Sequence, residues 1–113
     1  MNSQTEISRD GSKLIIKILH NRIDGDNHII HALEKGNFIQ EDIESLEFDF
    51  DRVEYLNSLG ITEFININRK FPVKGKRKKS KFVFLNVSAH IYGILELVEM
   101  HKMAEIHLKH SAG

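Results

Sequence analysis

The sequence predicts an α/β domain: a four- to five-stranded mixed β-sheet packed against α-helices, in the order β-β-α-β-α-β-α-β. Three observations lead there. Leu46, Phe48 and Phe50 alternate with Glu47 and Asp49, the period-2 signature of a strand with one buried face. After a short loop, Ile61, Phe64, Ile65, Asn68 and Phe71 recur at helical spacing. Apolar runs at Leu14–Leu19 and Phe82–Leu85 are each followed by a helical pattern, and strands alternating with helices imply right-handed crossovers in a mainly parallel sheet.

Thr5-Glu6-Ile7 reads as a short edge strand, and Asp10-Gly11 within Arg9–Ser12 as the tight turn of a hairpin, which gives the sheet its antiparallel edge. Leu14–Leu19 is nearly continuous and β-branched, so it is expected to be a central strand buried on both faces. Asp24-Gly25-Asp26 breaks it. Asp26 is placed to cap a helix over about Asn27 to Lys35, with Ile29, Ile30 and Leu33 as its apolar face and Gly36 ending it in the left-handed conformation. Phe38, Ile39 and Ile43 suggest a further short helical turn before the strand at 46–50. The helix from Ser58 closes at Phe71-Pro72, because a residue before proline disfavours helical geometry. Lys74 to Lys81 is a charged loop. Phe82–Leu85 is the next strand, Ser88 caps a helix carrying Ile91, Ile94, Leu95 and Val98, and Ala104–Leu108 alternates as a last edge strand. The tail, 109–113, is expected to fray.

A chain of 113 residues is one domain, with room for one ordinary core. No segment approaches the ~18 consecutive apolar residues of a membrane span. Met1-Asn2-Ser3-Gln4 does not have the form of a signal peptide. The absence of cysteine excludes disulfides, thiolate metal sites and cysteine nucleophiles, and is compatible with a reducing cytoplasm. The net charge of zero conceals an uneven distribution. Seven acidic residues and one basic one fall between Glu41 and Glu54, and six basic residues with no acidic one between Lys74 and Lys81. No aromatic residue interrupts the basic run, so it reads as a solvated connection, or a feature that speeds association with an acidic protein, rather than a nucleic-acid site.

Three segments, in order and spread over nearly the whole chain, carry a resemblance. They are Arg22-Ile23-Asp24, then Asn57-Ser58-Leu59-Gly60-Ile61, then Phe82-Val83-Phe84-Leu85-Asn86-Val87-Ser88 followed by Ile94-Leu95-Glu96-Leu97. Together they resemble the STAS domain, the fold of bacterial anti-sigma factor antagonists and of the cytoplasmic tails of sulfate transporters. The first is similar to that family's Gly-x-Leu-Asp, the second to its Asp-Ser-Ser/Thr-Gly-Leu, the third to its strand, Asn-x-Ser helix entry and Leu-Leu-x-Leu helix. The resemblance implies a single STAS-like domain over residues 1–113. It also implies partner switching, in which the dephosphorylated antagonist binds an anti-sigma factor that is itself a serine kinase. Phosphorylation of a serine at a helix start then dissociates the complex, and a phosphatase resets it. That serine falls on Ser58, and the family's nearby acidic residue on Asp24. Two positions depart: Asn57 stands for the family's aspartate and Leu59 for its Ser/Thr. If the aspartate orients the serine or a metal-bound nucleotide in the kinase, Asn57 weakens phosphorylation. If it only makes local hydrogen bonds, asparagine replaces it.

Read without the resemblance, Ser58 is a helix cap at the positive end of the helix dipole, where a phosphate is also favoured. Asp24 and Asp26 are turn and cap residues. His28 and His31 share a helix face, and His101, His107 and His110 lie near the C-terminus. No carboxylate or cysteine at fixed spacing completes a ligand pattern, so neither metal nor cofactor is expected. The Gly-x-Ser-x-Gly elbow of a hydrolase is absent. The expectation is therefore a non-enzymatic, cytoplasmic binding module with Ser58 as phosphoacceptor and a binding surface of Asp24, Asn57, Ser58, Leu59, Gly60 and Thr62. Its partners would be an anti-sigma factor/serine kinase and a phosphatase, with no nucleic acid and no direct membrane insertion. The alternative is a constitutive structural subunit of a membrane-associated transport complex, in which Ser58 needs no phosphate. No residue points to a small-molecule-binding version of the domain.

Overall fold

A computed structural model describes residues 4–71 and 80–109. The elements are β1 (Thr5–Asp10), β2 (Lys13–Ile18), β3 (Arg22–Ile23), α1 (His28–Lys35), β4 (Ser45–Asp49), β5 (Tyr55–Leu56), α2 (Ser58–Lys70), β6 (Lys81–Val87), α3 (Ala89–Leu97) and β7 (Ala104–Leu108), with a 3₁₀ turn at Met100–Lys102. Five strands form one sheet in the order β1-β2-β4-β6-β7, and β3 and β5 form a separate two-stranded ladder. β1 runs antiparallel to β2, and every other pairing in the large sheet is parallel. The mixed sheet and its three helices agree with the sequence reading; the small ladder is an addition to it. Apart from Ser80 and Lys81, the basic loop lies outside the described residues, as does most of the tail. No helix among the described residues is long and apolar enough to cross a membrane.

The expected hairpin forms, but its two-residue loop is Gly11-Ser12 rather than Asp10-Gly11, because Asp10 still pairs with Lys13 in the ladder; Gly11 sits at φ 63°. Leu14, Ile16 and Ile18 of β2 join Leu46 and Phe48 of β4, Phe82 and Phe84 of β6, and the buried faces of the helices in one core. Rings interlock at its centre. Phe48 meets Phe64 of α2 edge-on at 5.2 Å, and Phe50 and Phe84 lie 4.9 Å apart, separations typical of favourable aromatic pairs.

Four further local expectations are corrected. β2 is buried on one face only: Ile15 is 36 % exposed, and Lys13 reaches Glu47 at 3.4 Å across the outer face. Its apolar run is an alternation with a single exception at Ile15. The end of α1 does not use Gly36 in the left-handed conformation. Gly36 sits at φ −84°, and the left-handed residue is Asn37 at φ 57°. The Phe38 N–H then bonds back to Leu33 O at 2.9 Å, closing the helix by the Schellman pattern with asparagine in glycine's place. Gly36 is needed for space instead, since a Cβ there would lie 2.3 Å from the Phe38 ring. Residues 38–44 contain a turn at 41–42 and no helical turn. On α3, Ser88 caps as expected, its hydroxyl accepting from Ile91 N–H at 3.2 Å, but Val98 lies past the helix end and is exposed.

The acidic stretch is partly balanced by ion pairs from distant segments: Asp42 with Arg9, Glu47 with Lys13, and Asp51 with Lys109. These pairs are exposed or half-exposed and contribute little to stability. Stability rests on the apolar face instead. Phe48→Ala, at a fully buried position, should cost about 3–5 kcal/mol, whereas Glu47→Ala on the opposite face should be nearly silent. Urea denaturation midpoints of the two variants test the assignment of faces, and equal losses would contradict it.

Candidate functional site

The β3–β5 ladder assembles the site. Arg22 pairs with Tyr55 and Ile23 with Leu56 in parallel register, so the chain leaving β3 runs beside the start of α2. Asn57 N–H donates to Ile23 O at 3.4 Å. Two glycines permit this approach. A Cβ on Gly60 would fall 2.1 Å from the Ile23 carbonyl oxygen, and Gly25, at φ 102°, would place a Cβ 2.8 Å from Leu59 Cβ. The first two segments of the resemblance, far apart in sequence, are therefore neighbours in space.

On this patch the cap is not where the sequence suggested. Asn57 is the N-cap residue, its Oδ1 accepting from Gly60 N–H at 2.9 Å, and Ser58 is the first residue of the helix. Cap chemistry thus belongs to the side chain before the serine, and Ser58 is left exposed to solvent. Thr62 turns its hydroxyl back to donate to Ser58 O at 3.0 Å. Leu59 is 61 % exposed, an unusual position for leucine beside a glycine-tight contact. Gly60 is buried under the patch and shapes it from below.

Asp24 lies at the rim. Its Oδ2 accepts from Arg22 Nε at 3.3 Å, and the Arg22 guanidinium lies 4.3 Å from the centre of the Tyr55 ring. Desolvation opposes ionisation of Asp24, but hydrogen bonding with Asp26 and Arg22 and the Arg22 charge outweigh it and hold the carboxyl below its ordinary range. The patch therefore combines an exposed hydroxyl at a helix N-terminus, an exposed apolar side chain and an ionised carboxylate.

Asp26 does not cap α1. The N-cap position is Asn27, at φ 61°, and its side chain makes no cap bond. The cap comes from α2: Glu63, only 3 % exposed, accepts from Ile29 N–H at 3.1 Å. Sequence reading overlooked Glu63, although a signal was present. It falls on the apolar stripe of α2 with Gly60, Phe64 and Ile67, where a charged residue needs a buried partner. Desolvation raises its pKa above the ordinary value, and the backbone N–H groups of Ile29, Ile30 and Asn27 and the His28 charge counter this only in part.

Among the histidines, the His20 and His28 rings lie 5.0 Å apart, and His28 Nε2 is 3.6 Å from Asp26. No group of three or more histidine or carboxylate side chains among the described residues is arranged to hold a metal ion. No protein-family model matches the chain, and no curated protein matches it.

Two expected outcomes follow from the caps. Asn57→Ala should lower stability by about 1 kcal/mol, while Ser58→Ala should change the thermal midpoint little; the reverse order would return the cap to Ser58. For Glu63, the raised folded-state pKa means that the unfolded chain releases this proton first. Its contribution is therefore most favourable below the ordinary glutamate value and declines as pH rises through the interval up to the raised one. Urea titrations across that interval should show this decline in wild type and a flatter profile in Glu63→Gln.

Proposed function

We propose that the chain is a STAS-type regulatory module that binds a protein partner through the patch of Asp24, Asn57, Ser58, Leu59 and Thr62, and that phosphorylation of Ser58 releases the partner. The observation that carries this reading is the exposure of Ser58 at the first position of α2, beside the exposed Leu59. The mixed sheet with one antiparallel edge strand supports the resemblance. So does the contact between the segment 22–25 and the start of α2. The local cap made by Asn57 Oδ1 supports the replacement of the family's aspartate by asparagine, because an amide oxygen caps as a carboxylate does.

The switch follows from electrostatics. In the free domain a phosphate on Ser58 sits at the first turn of α2, at the positive end of the helix dipole, where negative charge is favoured. In a complex closed over Leu59, the same phosphate adds about −1.5 to −2 charge to a desolvated surface, and an unpartnered buried charge is strongly destabilising. The partner of this reading is a cytoplasmic serine kinase that acts as an anti-sigma factor, with a phosphatase to reset the cycle. The exposure of Leu59, where the family carries a hydroxyl residue, favours a second reading: a constitutive apolar contact within a membrane-associated transport complex, independent of phosphate.

The experiment is capture from native lysate by wild type, Ser58→Ala and Ser58→Asp, with mass spectrometry of Ser58 after incubation with ATP. The switching reading expects phosphate on Ser58, capture of a kinase by wild type and Ser58→Ala, and loss of that capture in Ser58→Asp. The Ser58→Asp domain should melt within a few degrees of wild type. Undiminished capture of every partner by Ser58→Asp would leave the constitutive reading in its place.

A further inference from the structure

We propose that the cleft between α1 and α2 is a binding site for a small phosphate-bearing anion, separate from the Ser58 patch. The cleft is a groove open to solvent, with a volume of about 480 Å³, comparable with small-molecule sites. Asn27 and His31 stand on its α1 wall, Asn66 and Arg69 on its α2 wall, and Ile30, 7 % exposed, forms an apolar floor. An ion pair between Lys70 Nζ and Glu34 Oε2, at 3.0 Å, forms part of the lining. That pair neutralises the only carboxylate lining the cleft among the described residues. The side chains of Asn27, His31, Asn66 and Arg69 have no hydrogen-bond or ion-pair partner among the described residues. The lining therefore offers a guanidinium, two amides and an imidazole with no internal use.

The arrangement selects the ligand class. A planar carboxylate is satisfied by one guanidinium fork, whereas a phosphoryl group carries oxygens pointing in several directions and uses donors from both walls. With Glu34 paired, Arg69 leaves the cleft one positive charge in excess, which matches an anion. The walls are also fixed relative to one another: the Glu63 carboxylate, one helical turn from Asn66, ties α2 to the α1 backbone at Ile29. A site braced from beneath loses less conformational freedom on binding than one between two independent helices.

The test is a two-dimensional NMR titration of the whole chain with inorganic phosphate, and in parallel with acetate at equal ionic strength. Saturable shifts at the Asn27 and Asn66 side-chain amides with phosphate, and a much weaker response to acetate, are expected. Arg69→Gln, an exposed change that leaves the core intact, should weaken phosphate binding about tenfold or more, the worth of one charge-assisted hydrogen bond. Glu34→Gln should strengthen it by freeing Lys70. Shifts that fail to saturate, that spread over the surface lysines, or that persist unchanged in Arg69→Gln would overturn the proposal. An equal response to acetate would overturn the assignment to phosphate.

Discussion

The arrangement of the candidate surface depends on one close approach: the main chain of β3 at Ile23 lies against the first turn of α2 at Gly60, with no space for a side chain between them. A backbone carbonyl cannot yield as a flexible side chain can, so this contact sets the distance between the two segments. From it follow the pairing of Arg22 with Tyr55 and of Ile23 with Leu56, the packing of Gly25 on Leu59, and the outward placement of Ser58. The aromatic core beneath holds α2 on the sheet through Phe64 and so supplies the rigid base against which β3 is pressed.

A second tie runs in the opposite direction. Glu63 reaches from α2 to the N-terminus of α1, so that α2 organises the segment on each side of Asp24: β3 through backbone contact and α1 through a buried carboxylate. Burying that carboxylate is costly in isolation, and removing it would leave a helix end with an unsatisfied donor. The cost is offset by the order it brings to α1, a helix of only eight residues that has no side-chain cap of its own.

The sheet, the hairpin and the three helices were legible in the sequence because each depends on local periodicity, as at Leu46–Phe50 and along α2. What escaped was decided at long range or by single backbone angles. Local pattern points the cap of α1 to the nearest aspartate, whereas its partner lies on another helix. Gly36 suited a left-handed helix end, but the angle belongs to Asn37 and the glycine makes space for the Phe38 ring. Ser58 and Asn57 are both good cap residues, and only the helix start distinguishes them. The two-residue strands β3 and β5 are too short to leave any periodic trace, although Gly60, one of the two glycines that permit their approach, stands within a segment that carries the resemblance and Gly25 directly follows another.

The parallel ladder has a consequence for how the chain reaches this state. Only β1 and β2 meet through a tight turn; β2 must find β4 across α1, β4 must find β6 across α2, and β6 must find β7 across α3. Each of these closures spends chain entropy before any contact rewards it, which makes such topologies slow to fold relative to helical bundles of the same size. The meeting of Ile23 with Leu56 closes a segment that contains both α1 and β4. The surface around Asp24 and Ser58 thus depends on a closure between distant segments, whereas the hairpin needs only a tight turn.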